Sequence, residues 1–147
     1  MSDFAAMNGL YLEDLKVGMS AMFGKTVTES DIATFAGVSG DTNPIHLHEG
    51  FARTTRFGQR IAHGMLSGSF ISAVIGTKLP GPGSVYISQS MSFMAPVLIG
   101  ETITAIATIT AIDERRRRVT LKTQCLNGDK VVIDGEAQIL LPRRDAA

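Results

Sequence analysis

The second half of the chain alternates apolar with polar positions. Val85, Ile87, Gln89, Met91 and Phe93 alternate with Ser84, Tyr86, Ser88, Ser90 and Ser92. Residues 101–112 alternate threonine with alanine and isoleucine. Val119, Leu121, Thr123 and Cys125 alternate with Thr120, Lys122 and Gln124. A period of two over successive runs predicts antiparallel strands with one face on a core. Asn127-Gly128 marks a hairpin before a last strand over 130–141.

The first half reads differently. Residues 19–27 predict one strand. Thr28 then caps a helix, with Asp31 answering three residues on, and Ile32, Phe35 and Ala36 fall on one helical face. Gly37 and Gly40 favour its end. Residues 39–59 look irregular, and Pro44 pushes Asn43 away from helical geometry. A helical pattern returns at Gly64, with Met65, Leu66, Phe70, Ile71, Val74 and Ile75 large and the residues between them small. A helix with no charged face is expected to be buried on all sides. Leu79-Pro80-Gly81-Pro82-Gly83 ends it. The layout is α+β, a sheet with helices on one face. A long helix held by a curved antiparallel sheet is the hot-dog arrangement, although periodicity alone leaves other α+β folds open.

Composition narrows this picture. With 147 residues, one domain spanning 1–147 is expected, its core over about 12–142. Fourteen basic and fourteen acidic side chains cancel, so nothing draws the chain as a whole to nucleic acid or to an anionic membrane. An anionic ligand needs a local patch. Residues 61–77 lack Asp, Glu, Lys and Arg, but the stretch is short for a membrane span and diluted by His63, serines and glycines. The single Cys125 allows no intrachain disulfide and no multi-thiolate zinc site, which fits a reducing cytoplasm. The first ten residues contain Asp3 and no basic run, unlike a secretory signal. Pro142 onward reads as a loose tail.

The candidate chemistry sits in Gly40-Asp41-Thr42-Asn43-Pro44-Ile45-His46-Leu47-His48. A carboxylate and an imidazole five residues apart bracket an Asn-Pro bend. On a straight helix they would point well apart. In a bent loop both can reach one cavity and grip one water, as general acid–base chemistry requires. Ordinary turn chemistry is the other reading, with Asp41 bonding backbone amides. Further on, Ile61-Ala62-His63-Gly64-Met65-Leu66 opens the uncharged helix. Its first amides lack helical partners, and Gly64 has no side chain to block a ligand oxygen. That suits an oxyanion site, or else simple tight packing at Gly64. His63 reads as structural rather than catalytic.

These segments, with Phe51-Ala52-Arg53-Thr54-Thr55-Arg56-Phe57, residues 79–86 and Gln89-Ser90-Met91-Ser92-Phe93, resemble the MaoC-like hydratases over about residues 12–142. The likeness is greatest to the R-specific enoyl-CoA hydratases that feed polyhydroxyalkanoate synthesis. The resemblance implies a hot-dog homodimer with its site and pantetheine tunnel near the subunit interface. It carries catalytic roles onto Asp41 and His46, and a supporting role onto Asn43. The family's serine that supports the aspartate falls on Ser72, a choice that spacing alone could not make over Ser67 or Ser69. Ile75 is the candidate for an apolar acyl tunnel.

The implied reaction is hydration of a trans-2-enoyl-CoA to an (R)-3-hydroxyacyl-CoA. Gly64 N–H would hold the thioester carbonyl, Asp41 would act as base and His46 on the donor side. No metal or other cofactor is expected, CoA being part of the substrate. Competing readings are a 3-hydroxyacyl carrier-protein dehydratase, a thioesterase, and a non-catalytic acyl-thioester-binding module. The arginines at 115–118 could seat CoA phosphates, with Arg53, Arg56, Arg60 and Lys78 as other candidates. In a strand, however, four successive arginines alternate faces and cannot all meet one phosphate, so a solvated hairpin is the expectation.

Overall fold

The computed structural model describes residues 3–144. A five-stranded antiparallel sheet carries the strands in the order β1-β3-β4-β5-β2. They span Ser20–Thr26 (β1), Val85–Phe93 (β2), Thr102–Asp113 (β3), Arg118–Asn127 (β4) and Lys130–Leu140 (β5). Two-residue alternation places Ile103, Ala105, Ala107 and Ile109 of β3 and Val119, Leu121, Thr123 and Cys125 of β4 on the inner face, all buried. The β4–β5 hairpin pairs Asn127 with Lys130, so Gly128 and Asp129 form its loop. Gly128 takes a positive φ of 61°, a conformation glycine adopts freely. Asn127 itself is the last paired residue of β4, one position earlier than an Asn-Gly loop would place it.

Helix α1 (Glu29–Ser39) begins as its sequence predicts. Thr28 Oγ1 accepts from Asp31 N, and Asp31 Oδ2 accepts from Thr28 N. Gly40, at φ 79°, ends it. Helix α4 (Gly64–Thr77) lies across the inner face of the sheet, packed on β1, β3 and β4. Leu66, Phe70, Ile71, Val74 and Ile75 enter the main core with the inner residues of the strands. This is the hot-dog arrangement, a helix held by a curved antiparallel sheet.

Three expectations need correction. The span 39–59 is not wholly irregular, since it contains two four-residue helices, α2 (Pro44–Leu47) and α3 (Glu49–Ala52). Side-chain caps make them, with Asn43 Oδ1 accepting from Ile45 N and His48 Nδ1 from Phe51 N. Helix α4 is not buried all round. Met65, Ser69, Ser72 and Gly76 form an exposed, uncharged stripe along it. Nor is the start of the C-terminal tail loose. Pro142 O accepts from Leu12 N, and Arg144 pairs with Asp14. Residues 145–147 lie outside the described residues. No helix among the described residues is long and apolar enough to cross a membrane.

Candidate active site

A cavity of about 650 Å³ opens where the α1–α2 loop, the start of α4 and the end of β2 meet. Asp41, His46, Arg56, His63, Gly64 and Ser67 supply its polar groups. Phe57, Met65, Phe93, Val97 and Val132 are among its apolar walls. The Asn-Pro bend therefore does bring Asp41 and His46 to one place. One ligating atom from each of Asp41, His46 and His63 lies within 4.8 Å of the other two. That separation suits a water accepting and donating at about 2.7–3.2 Å.

The loop is fixed largely by main-chain contacts. Ser39 Oγ accepts from Asp41 N, and Asp41 Oδ1 accepts from Asn43 N at 3.2 Å. The turn chemistry and the cavity position of Asp41 thus coexist. Arg60 braces the next turn: its Nε donates to His46 O at 2.8 Å, and its Nη2 pairs with Glu29 Oε1 at 2.5 Å.

The two histidines have fixed hydrogen-bonding roles. His46 Nδ1 lies 2.8 Å from Ile61 O, and His63 Nε2 lies 2.9 Å from Asp41 O. A carbonyl only accepts, so each of these nitrogens carries a proton. This leaves His46 Nε2 and His63 Nδ1 as lone-pair acceptors in the neutral rings. The rings stack at 3.9 Å between centroids, 30° from parallel, and Phe35 closes the far side of His63 at 4.9 Å. Burial disfavours the charged form of His46 and lowers its pKa below the ordinary 6.5. The Ile61 carbonyl opposes that shift, His63 adds to it, and Asp41 opposes it. The trio also has the composition of a metal-ligand set. A metal would need lone pairs converging in the ring planes at about 2.1 Å, closer than the roughly 2.7–3.2 Å of hydrogen bonds to a water.

The structure separates the remaining expected residues. Gly64 is the first residue of α4 and lines the cavity, its amide at the unpaired end of the helix. A Cβ there would lie 2.7 Å from two ring atoms of Phe93, so glycine is also a packing requirement. Asn43 caps α2 and does not line the cavity. Ser72 is exposed and does not reach this cavity within the chain; Ser67 does. Two turns of helix separate Ser72 from Gly64, about 12 Å of rise, against about 4.5 Å for Ser67. Ile75 is 1% exposed in the core, outside the cavity. The Ser67 hydroxyl and His63 Nδ1 are buried without a hydrogen-bond partner. Sequence reading named Ser67 only as an alternative to Ser72, although its four-residue spacing from His63 is a usable signal.

The MaoC like domain model covers residues 15–129. The chain belongs to the MaoC-like family. Among MaoC-like relatives, it is 55% identical to an (R)-specific enoyl-CoA hydratase of Rhodospirillum rubrum, over 91% of this chain and 93% of that protein. It is 49% identical to a 3-hydroxybutyryl-CoA dehydratase of Methylorubrum extorquens, over 94% and 88%. The unliganded R-hydratase PhaJ1 of Pseudomonas aeruginosa superposes with a TM-score of 0.87 at 41% identity, covering 94% of this chain and 89% of that one.

Proposed function

We propose that this MaoC-like enzyme is a hydro-lyase that adds water to trans-2-enoyl-CoA and yields the (R)-3-hydroxyacyl-CoA. The observation that carries the reading is the shared cavity of Asp41, His46 and the Gly64 amide, at 55% identity to an (R)-specific hydratase.

In the resting site Asp41 as carboxylate and neutral His46 both offer acceptors to one water. Neither then carries a proton for Cα, so that proton comes from the water itself. His46 Nε2 takes it as the oxygen attacks Cβ. The alkene pair moves toward the thioester oxygen, held by Gly64 N–H at the positive end of α4. The new imidazolium returns the proton to Cα on the same face, while Asp41 orients the water and faces the transient charge. This changes the order expected from sequence, where Asp41 was the base. The reason is His46 Nδ1, committed to Ile61 O. No metal or other cofactor takes part in these steps.

The test is hydration of crotonyl-CoA and longer enoyl-CoAs, with chiral analysis of the product. Absence of hydration at every chain length, or an (S) product, would overturn the reading. Turnover confined to carrier-protein thioesters would move the enzyme to the dehydratase alternative.

We also propose that the active form is a homodimer. Strand β2 is an edge of the sheet, and Val85, Ile87, Phe93 and Met94 along it are exposed. An open apolar edge invites pairing with a second copy. The exposed Met65 and Phe93 belong to the cavity as well as to this surface, so a second copy would narrow its mouth. Sedimentation at micromolar concentration should give a dimer, and a fully active monomer would refute it.

A further inference from the structure

We infer that a second, polar cleft beside the active cavity seats the phosphates of coenzyme A, with Arg56 and Lys130 as its cations. This rests on the acyl-CoA reading above. The cleft measures about 420 Å³ and lies between the loop carrying Arg56 and Gln59 and the tip of the β4–β5 hairpin. It shares Arg56, Phe57 and Pro96 with the active cavity, so the two adjoin. A thioester substrate has the same two-part character: an apolar acyl end, then a polyanionic nucleotide joined by the pantetheine arm.

With zero net charge the chain offers CoA no general attraction, so local cations must supply it. Several cations are already engaged elsewhere. Lys25 pairs with Asp31, Arg53 with Glu49, Arg60 with Glu29 and Arg144 with Asp14. Lys78 donates to Met22 O. The arginines at 115–118 occupy the β3–β4 turn and the start of β4, and line neither cavity. Arg56 and Lys130 line the cleft and have no ion-pair partner among the described residues.

The Arg56 side chain has a ring contact, and Lys130 is placed by the hairpin backbone. The Arg56 guanidinium lies 4.7 Å from the Phe57 ring centroid, a stacking that leaves its N–H edge free for phosphate. Lys130 opens β5, paired with Asn127 across the hairpin. Glu101 also lines the cleft and subtracts one charge. Its carboxylate is engaged, with Oε1 accepting from Leu98 N at 2.7 Å and Oε2 from Asn127 Nδ2 at 2.5 Å. It thereby fixes the Asn127 amide at the cleft wall. Asp129, at the hairpin tip, does not line the cleft.

The experiment compares KM for crotonyl-CoA, crotonyl-3′-dephospho-CoA and crotonyl-pantetheine in wild type, Arg56→Ala, Lys130→Ala and the double variant. The ratio of KM for the CoA thioester to KM for the pantetheine thioester should rise about tenfold per single variant, as for the loss of one charge-assisted contact, and further in the double. Arg116→Ala should leave that ratio unchanged. The dephospho substrate reports whether the 3′-phosphate or the diphosphate is the group held. Equal KM changes for CoA and pantetheine thioesters would overturn the seat. So would a rise confined to crotonyl carrier protein. Calorimetric binding of free CoA makes the seat testable without turnover. If wild type binds CoA and the double variant binds it at least about tenfold more weakly, the seat stands even where hydration fails. Equal binding by both removes it.

Discussion

Asp41→Asn and His46→Gln should each lose about 10²–10⁴ in hydration rate and keep the fold. Neither change removes the contacts that shape the loop. An asparagine oxygen still accepts from Asn43 N, as Asp41 Oδ1 does. A glutamine amide can still donate toward Ile61 O, the partner of His46 Nδ1. What disappears is a charge in one variant and a proton-carrying nitrogen in the other. Circular dichroism should therefore match wild type while kcat collapses. Near-normal turnover in either variant would remove that residue from the mechanism.

The pH profile tests the same pair from another side. Burial lowers the His46 pKa below 6.5, so His46 stays neutral to lower pH than a free imidazole. If neutral His46 is the base, the acid limb of kcat/KM has its midpoint below pH 6.5. The Asp41 charge pulls this pKa upward, so Asp41→Asn should move the remaining acid limb lower still. A limb at or above pH 6.5 would point to a donor role for a protonated His46 in the resting enzyme.

Much of this site was legible in the chain because its signals are local. The Thr28–Asp31 cap, the β3 and β4 alternation and the helix beginning at Gly64 depend on neighbours a few residues away. The same holds for the bend at Pro44 that brings Asp41 and His46 together. The features that the chain leaves open depend on how elements are turned against one another. Helix α4 carries Ser67, Ser69 and Ser72, and only its rotation and height against β2 decide that Ser67 faces the cavity. Ile75 looks like tunnel lining by hydrophobicity, yet the sheet claims it for the core. Lys130 gave no signal in sequence, because its relation to Arg56 exists only once the β4–β5 tip folds beside the 56–59 loop. His63 was read as structural, and its contacts refine that. It bonds the Asp41 carbonyl and stacks on His46, so its structural work is done on the two residues proposed as the catalytic pair.

Gly64→Ala should cost about 10² in kcat/KM, the range for losing one oxyanion donor, with little change in Tm. The added Cβ would stand 2.7 Å from Phe93 Cδ1 and Cε1. Phe93 is 53% exposed within one protomer and lines the cavity, so its ring can yield without opening that protomer's core. Both the methyl and the displaced ring then crowd the amide proposed to hold the thioester oxygen. Gly68→Ala, one turn along α4, is the matched control. Its Cβ would meet the Met91 sulfur at 2.9 Å, the far part of a flexible side chain, and Gly68 is outside the cavity. Gly68→Ala also gains helix propensity, worth about 1 kcal/mol in a helix interior, which offsets part of its crowding. Gly68→Ala should therefore retain most of its activity while Gly64→Ala does not. Pairing Gly64→Ala with Phe93→Ala separates the two obstructions, since recovery in the pair assigns the loss to the ring and persistence assigns it to the methyl beside the amide. Wild-type kinetics in Gly64→Ala alone would mean that the thioester carbonyl is held somewhere other than the head of α4.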